Sequence, residues 1–160
     1  MKFLKWLDKN FEETILVGLL MAMTLIMGAQ VCSRYLFNFS LSWTEELTRY
    51  LFVWSGFLAI SFSTQKCIAI RIEQLALALK GKMRSALMIV TYVVEFVFFG
   101  YLLPFAWRYF VTTKESGQLS TACEMPMWII HIAPLVGFAL VELRLVERVF
   151  EEFKKIREEA

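Results

Sequence analysis

Four stretches of this chain are long and apolar enough to cross a lipid bilayer, and each is bounded by charged residues. A helix rises about 1.5 Å per residue, so a hydrocarbon core of roughly 30 Å takes about 20 mainly apolar residues. The runs fall at about residues 14–37, 45–63, 85–110 and 126–146. Each is apolar around most of its circumference, as lipid requires, whereas a soluble amphipathic helix would keep a polar face. The expected fold is therefore all-α and integral to the membrane, a single domain over residues 1–160 with four transmembrane helices.

Orientation follows from the basic residues near the ends of the runs, because cytoplasmic loops retain Lys and Arg. Lys2, Lys5, Lys9, then Lys66, Arg71, Lys80, Lys82, Arg84, then Arg144, Arg148, Lys154, Lys155 and Arg157 fall on one side, 13 in all. The other side has 4: Arg34, Arg49, Arg108 and Lys114. This asymmetry places both termini and the middle loop in the cytoplasm, and loops 38–44 and 111–125 outside. The start of the chain does not read as a signal peptide. Asp8, Glu12 and Glu13 interrupt its basic region, the following apolar run exceeds the usual h-region of about 7–15 residues, and no small-residue cleavage site follows. The first run is expected to be retained as a span.

Two stretches read as interfacial. Over about residues 2–12, Leu4, Leu7 and Phe11 share a helical face away from the lysines, with Trp6 suited to headgroup depth. Over about residues 67–80, Ile68, Ile72, Leu75 and Leu79 repeat at helical spacing, with Gly81 as a stop. The spacing predicts a short amphipathic helix lying on the cytoplasmic surface between spans two and three.

Chemistry is sparse. The net charge is +2 and the charges cluster between apolar runs, so no basic face is available for nucleic acid. Cys32, Cys67 and Cys123 form no C-x-x-C pair, and His131 is the single histidine. Paired-cysteine redox chemistry, a tetrahedral zinc site and a bis-histidine haem are thereby excluded, and no cofactor or metal is expected. At this length a membrane bundle leaves no room for a separate catalytic domain, and the chain is not expected to be an enzyme.

Polar residues concentrate at the outer start of the second run: Ser42, Trp43, Thr44, Glu45, Glu46, Thr48 and Arg49. Ser42 and Glu45 have capping-box spacing, and Glu45 and Glu46 stand four and three residues before Arg49, within reach of ion pairing. Trp43 suits the aromatic belt. Arg34 enters the membrane from the same side, and charges at such depth face protein or water, so these residues are candidates for a partner interface. Glu95 lies mid-way along the third run and is read as the one deep carboxylate. It could serve a subunit interface or, as an alternative, make the chain a small autonomous proton-coupled exporter. Pro104 and Pro134 permit kinks, and Pro126 suits a first helical turn. The tail beyond Arg148 is expected to prolong the fourth helix, with pairs such as Glu151 and Lys155 four residues apart.

The stretches Cys32-Ser33-Arg34-Tyr35-Leu36-Phe37, Ser42-Trp43-Thr44-Glu45-Glu46-Leu47 and Leu51-Phe52-Val53-Trp54 resemble the core of the small, DctQ-type membrane subunit of TRAP (tripartite ATP-independent periplasmic) transporters. Ile70-Arg71-Ile72-Glu73 is similar to that family's basic and acidic motif after span two, though many members carry a histidine before it and aspartate is commoner at the last position. Met125-Pro126-Met127-Trp128, running on to Ala133-Pro134-Leu135-Val136-Gly137, is similar to its opening of span four. The likeness covers nearly the whole chain. It implies a static accessory subunit of the bacterial inner membrane, partnered by a large membrane subunit and a periplasmic solute-binding protein. Substrate and sodium sites would lie in the large subunit, and the solute would be an organic acid such as a sialic acid or a C4-dicarboxylate. The interface residues so suggested are Arg34, Trp43, Glu45, Glu46, Arg49, Trp54, Arg71, Glu73 and Glu95.

Overall fold

The computed structural model describes residues 2–39, 41–66 and 82–158. Four α-helices make up nearly all of these: α1 (Lys2–Phe37), α2 (Ser42–Lys66), α3 (Lys82–Ser116) and α4 (Trp128–Glu158). Each apolar run lies almost wholly inside one helix, and the helices overshoot the runs, because polar helix formers at their ends carry the backbone pattern beyond the apolar stretch. Residues 2–12 are the first turns of α1, with no break before the apolar stretch. The segment 67–80 lies outside the described residues, and Arg71, Glu73 and Cys67 with it.

Three of the helices are long and apolar enough to cross a membrane, over Phe11–Phe37, Ala86–Ser116 and Trp128–Lys154. Helix α2 is long enough at 25 residues but carries Glu45, Glu46 and Arg49 in its first turns. Helix ends follow local chemistry. Asn38 takes φ +52° after α1 and Gly117 takes φ +61° after α3, the left-handed conformation common just past a helix C-terminus. Pro126 does not enter the first turn of α4. It forms an isolated bridge with Leu119 and lends its carbonyl to the Ile129 N–H at 3.2 Å.

Packing runs α1 on α2, α2 on α4 and α4 on α3, and among the described residues α3 meets neither α1 nor α2. Helix α4 is therefore the hub. Its Val141 and Leu145, fully buried, pack with Tyr92 of α3, flanked by Ile60, Met88, Phe99 and Val149. Phe138 meets Phe57 of α2 edge-on and Phe99 of α3 at a tilt, both at 5.6 Å between ring centroids. At Gly137 the backbones of α2 and α4 come so close that an added Cβ would stand 2.8 Å from Phe57 Cβ and 3.0 Å from Phe57 O. A glycine is needed there for close approach. His131 is packing material, its ring edge-on to Tyr109 at 4.5 Å.

The outward faces of α1 and α3 are bulky and apolar: Val17, Leu20, Met21 and Leu25 on α1, and Val90, Val94, Val97 and Tyr101 on α3 are all exposed. In water such a surface would drive aggregation, whereas in hydrocarbon it is the expected exterior. The chain is a multi-pass membrane protein.

Candidate functional site

The polar side chains that the fold brings together form two braces, one near each end of α2. At the start of α2, Thr44 donates its Oγ1–H to Leu41 O at 2.6 Å. The expected capping pair of Ser42 with Glu45 does not form, because Glu45 Oε1 instead accepts a hydrogen bond from Gln30 Nε2 of α1 at 2.9 Å. Gln30 is buried, so this contact fixes α1 beside α2 through a charge-assisted bond. Glu46 turns the other way. Its Oε1 accepts from Tyr50 one helical turn on, and its Oε2 accepts the backbone N–H of Ala122 at 2.8 Å and of Cys123 at 2.9 Å.

Those two amides belong to the link between α3 and α4, which is folded on itself. Ser120 N–H donates to Met125 O and Met127 N–H to Gln118 O, both at 2.9 Å, around Glu124 at φ +51°. Two N–H groups of a tight turn converging on one oxygen make a small anion-binding nest, here filled by the chain's own carboxylate. Cys123 Sγ lies 3.4 Å from Trp43 O, and Tyr50 Oη lies 3.8 Å from Met127 Sδ, so α2 and the link are joined at several points. One turn deeper, Trp54 Nε1–H donates to Ile129 O at 3.2 Å, in the first turn of α4.

The second brace lies near the far end of α2. Glu12 of α1 is almost fully buried, and its Oε1 accepts from Arg144 Nε of α4 at 3.0 Å and from Ser61 Oγ of α2 at 3.1 Å. One carboxylate oxygen thus ties three helices. Arg144 also reaches Glu147 at 2.9 Å, and Lys66 stands 3.4 Å from Glu13. Further along α4, Arg148 pairs with Glu151 at 2.6 Å, so Glu151 is engaged three residues back.

Of the residues singled out from the sequence, Trp43, Glu46 and Trp54 meet the α3–α4 link and α4, and Glu45 meets α1. Neither glutamate pairs with Arg49, because each carboxylate is drawn to donors on another element. Arg49 and Arg34 are exposed and make no ion pair among the described residues. Glu95 lies on the stripe of α3 that includes Tyr92 and Phe99 and faces α4. It is not the one deep carboxylate. Glu142 of α4 has both carboxylate oxygens buried without a hydrogen-bond partner among the described residues, one of them 3.3 Å from where a Cβ on Gly100 would be.

Gln30, Ser61, Glu12 and Arg144 were not legible as site residues, since each contact spans distant elements. The nearest available signal was Arg144, a cation placed where α4 leaves its apolar run. No group of three or more His, Cys, Asp or Glu side chains suited to a metal occurs among the described residues.

Comparison with known proteins gives this arrangement its family. A family model for the DctQ component of tripartite ATP-independent periplasmic transporters matches residues 23–155. Among curated proteins, the chain is 24% identical over 154 residues to a sialic acid TRAP transporter small permease protein of Vibrio cholerae, covering 96% of this chain and 88% of that one. It is 29% identical over 108 residues to a C4-dicarboxylate TRAP transporter small permease protein of the same organism, covering 66% and 47% respectively. It is also similar to an isethionate TRAP transporter permease protein of Oleidesulfovibrio alaskensis, 27% over 153 residues, where the match covers 90% of this chain but only 24% of the longer protein. That family comprises membrane components of transporters rather than enzymes, and by the match over most of its length the chain belongs to the DctQ component family of the tripartite ATP-independent periplasmic transporters.

Proposed function

We propose that this chain is the accessory, bracing subunit of a sodium-coupled TRAP transporter in the bacterial inner membrane, and that it holds no solute itself. The observation that carries the reading is how its polar groups are used. Glu12, Gln30, Glu45, Glu46, Trp54 and Arg144 bond to other elements of the same chain, which suits a rigid support. Substrate and sodium sites then belong to a large membrane subunit, fed by a periplasmic binding protein. The relatives' names include isethionate, sialic acid and C4-dicarboxylate, all organic anions, which favours an organic acid as solute. The match to a quarter of a longer permease protein supports a large subunit as the direct partner. Family membership disfavours an autonomous exporter based on Glu95.

Four spans with both termini in the cytoplasm fit the braces. Helix α2 touches α1 at Gln30–Glu45 and again, through Ser61, at Glu12. At 1.5 Å per residue the stretch 45–61 covers about 24 Å and the stretch 12–30 about 27 Å. A helix joined to α1 at both ends of that length runs through the same thickness of membrane despite its charged start. Trp43, Trp54, Arg34 and Arg49 remain interface candidates on this reading, as do Arg71, Glu73 and Glu95. Glu45 and Glu46 contribute by holding the surface in shape.

Reconstitution tests the function. Proteoliposomes containing the co-encoded large subunit, with binding protein and a sodium gradient, are expected to take up solute only when this chain is present. Full-rate uptake by the large subunit without it would defeat the proposal.

A further inference from the structure

Among the described residues, one face of helix α2 is left largely uncovered. Glu45, Arg49, Phe52, Gly56 and Ala59 are exposed at alternating spacings of four and three residues, and Lys66 closes the same line. The opposite side of α2 is filled by Tyr50, Leu58 and Ser61 against α1 and α4. The uncovered line differs from the outward faces of α1 and α3, which carry Val, Leu, Met and Tyr. Here the middle is a glycine and an alanine beside Phe52, and a Cβ added at Gly56 would meet no atom within 4 Å. Lipid tails gain little from such a hollow, whereas a second helix gains close backbone approach.

Charge identifies the occupant. Arg49 lies about 10 Å into α2 by helical rise, exposed and without an ion-pair partner among the described residues. Its neighbour Glu45 is engaged with Gln30 and Glu46 with Tyr50 and the link, so neither neutralises it. A guanidinium at such depth calls for an acceptor, and a carboxylate offers the matching bidentate geometry.

We infer that the Glu45–Arg49–Phe52–Gly56–Ala59 face of α2 seats one transmembrane helix of the large membrane subunit, with an acidic side chain opposite Arg49 and close backbone contact over Gly56. This rests on the accessory-subunit reading above. The test is co-purification of the tagged chain with the co-encoded large subunit from native membranes. Gly56→Leu and Arg49→Glu are each expected to lower recovery of the large subunit at least tenfold, while Val97→Trp on the exposed side of α3 leaves it unchanged.

Because Gly56 has open space around it, the leucine is accommodated within the chain itself, and an unchanged melting profile of the variant checks this. In the otherwise unaltered chain, a benzophenone amino acid in place of Phe52 is expected to photo-cross-link to the large subunit. Wild-type recovery with Gly56→Leu, or cross-linking from position 52 only to lipid, would overturn the inference. Failure of the wild-type chain to recover the large subunit would instead overturn the accessory-subunit reading. Loss of recovery for Arg49→Glu but not for Gly56→Leu identifies Arg49 as a lipid-phosphate anchor and also overturns it.

Discussion

Glu46 shows how a single carboxylate organises one end of the molecule. By accepting the Ala122 and Cys123 amides it holds the α3–α4 link against α2, and it places its negative charge beside the Cys123 thiol. Burial and then that charge push the thiol above its ordinary value, so it stays protonated and slow to react at neutral pH. Glu46→Gln removes the charge and loosens the turn. Alkylation of Cys123 by a maleimide is therefore expected to accelerate about two- to fivefold at pH 7.5, and an unchanged rate would show that Glu46 does not hold the link. The importance of Glu46 was legible in the sequence, but its partners were not. Local spacing offered Arg49 three residues away, whereas the donors it meets lie 76 and 77 residues on, brought near by the packing of α2 on α4. The same holds for Glu12, which reads as a charged residue ahead of a span yet is among the most buried side chains. Arg144→Met leaves the Glu12 carboxylate buried with Ser61 as its donor and is expected to cost about 3 kcal/mol. Glu12→Gln, which leaves Arg144 its contact with Glu147, should cost less. The double variant should cost less than Arg144→Met alone. Equilibrium unfolding in mixed detergent measures all three.

At the scale of elements, the contact between α2 and α4 depends on the absence of a side chain at one position. Gly137→Ala would bring a Cβ within 2.8 Å of Phe57 Cβ and 3.0 Å of its carbonyl oxygen, forcing the helices apart. The expected penalty is about 1–3 kcal/mol, typical of overpacking. Gly28→Ala on α1, where the new methyl meets nothing within 4 Å, should be neutral or slightly stabilising through helix propensity. Equal melting temperatures for the two variants would contradict the close approach at Gly137. The four helices themselves were readable because each carries a long apolar run, three of them long and apolar enough to cross a membrane. Their ends were less so. Apolarity marks where hydrocarbon stops, whereas α1 and α4 continue for many residues beyond it on polar helix formers. Which helix touches which could not be read. A segment apolar all round carries no stripe to point at a neighbour, and the order α1–α2–α4–α3 is set by features such as Gly137 and the Phe57–Phe138–Phe99 cluster.

For the whole molecule, the braces and the charge asymmetry lead to one orientation, and labelling from the two sides of the membrane can check it. The link carrying Cys123 lies at the end of α2 where Gln30 and Glu45 meet. The end of α4 carrying Arg148 and Glu151 extends past the Glu12–Arg144 brace on the opposite side. Basic residues concentrate at the second end, which is therefore the end proposed to face the cytoplasm. In sealed spheroplasts, a membrane-impermeant maleimide added outside is expected to label Cys123 in a Cys32→Ser, Cys67→Ser background, slowly because of its neutral thiol. A cysteine placed at the exposed Lys154 should be labelled only after permeabilisation. A third site, a cysteine at the exposed Phe39 just past α1, reports on α2, the helix whose charges make its insertion least obvious. If α2 lay along the surface instead of crossing, the α3–α4 pair would be inverted relative to α1, and a cysteine at Phe39 would be reachable from the side opposite to Cys123. The Gln30–Glu45 and Ser61–Glu12 contacts could then not form together, since one helix cannot follow α1 across the bilayer and also lie flat upon it. Labelling of both Phe39→Cys and Cys123 from outside, with Lys154→Cys reached only after permeabilisation, is thus the expected outcome for a support that passes four times through the membrane.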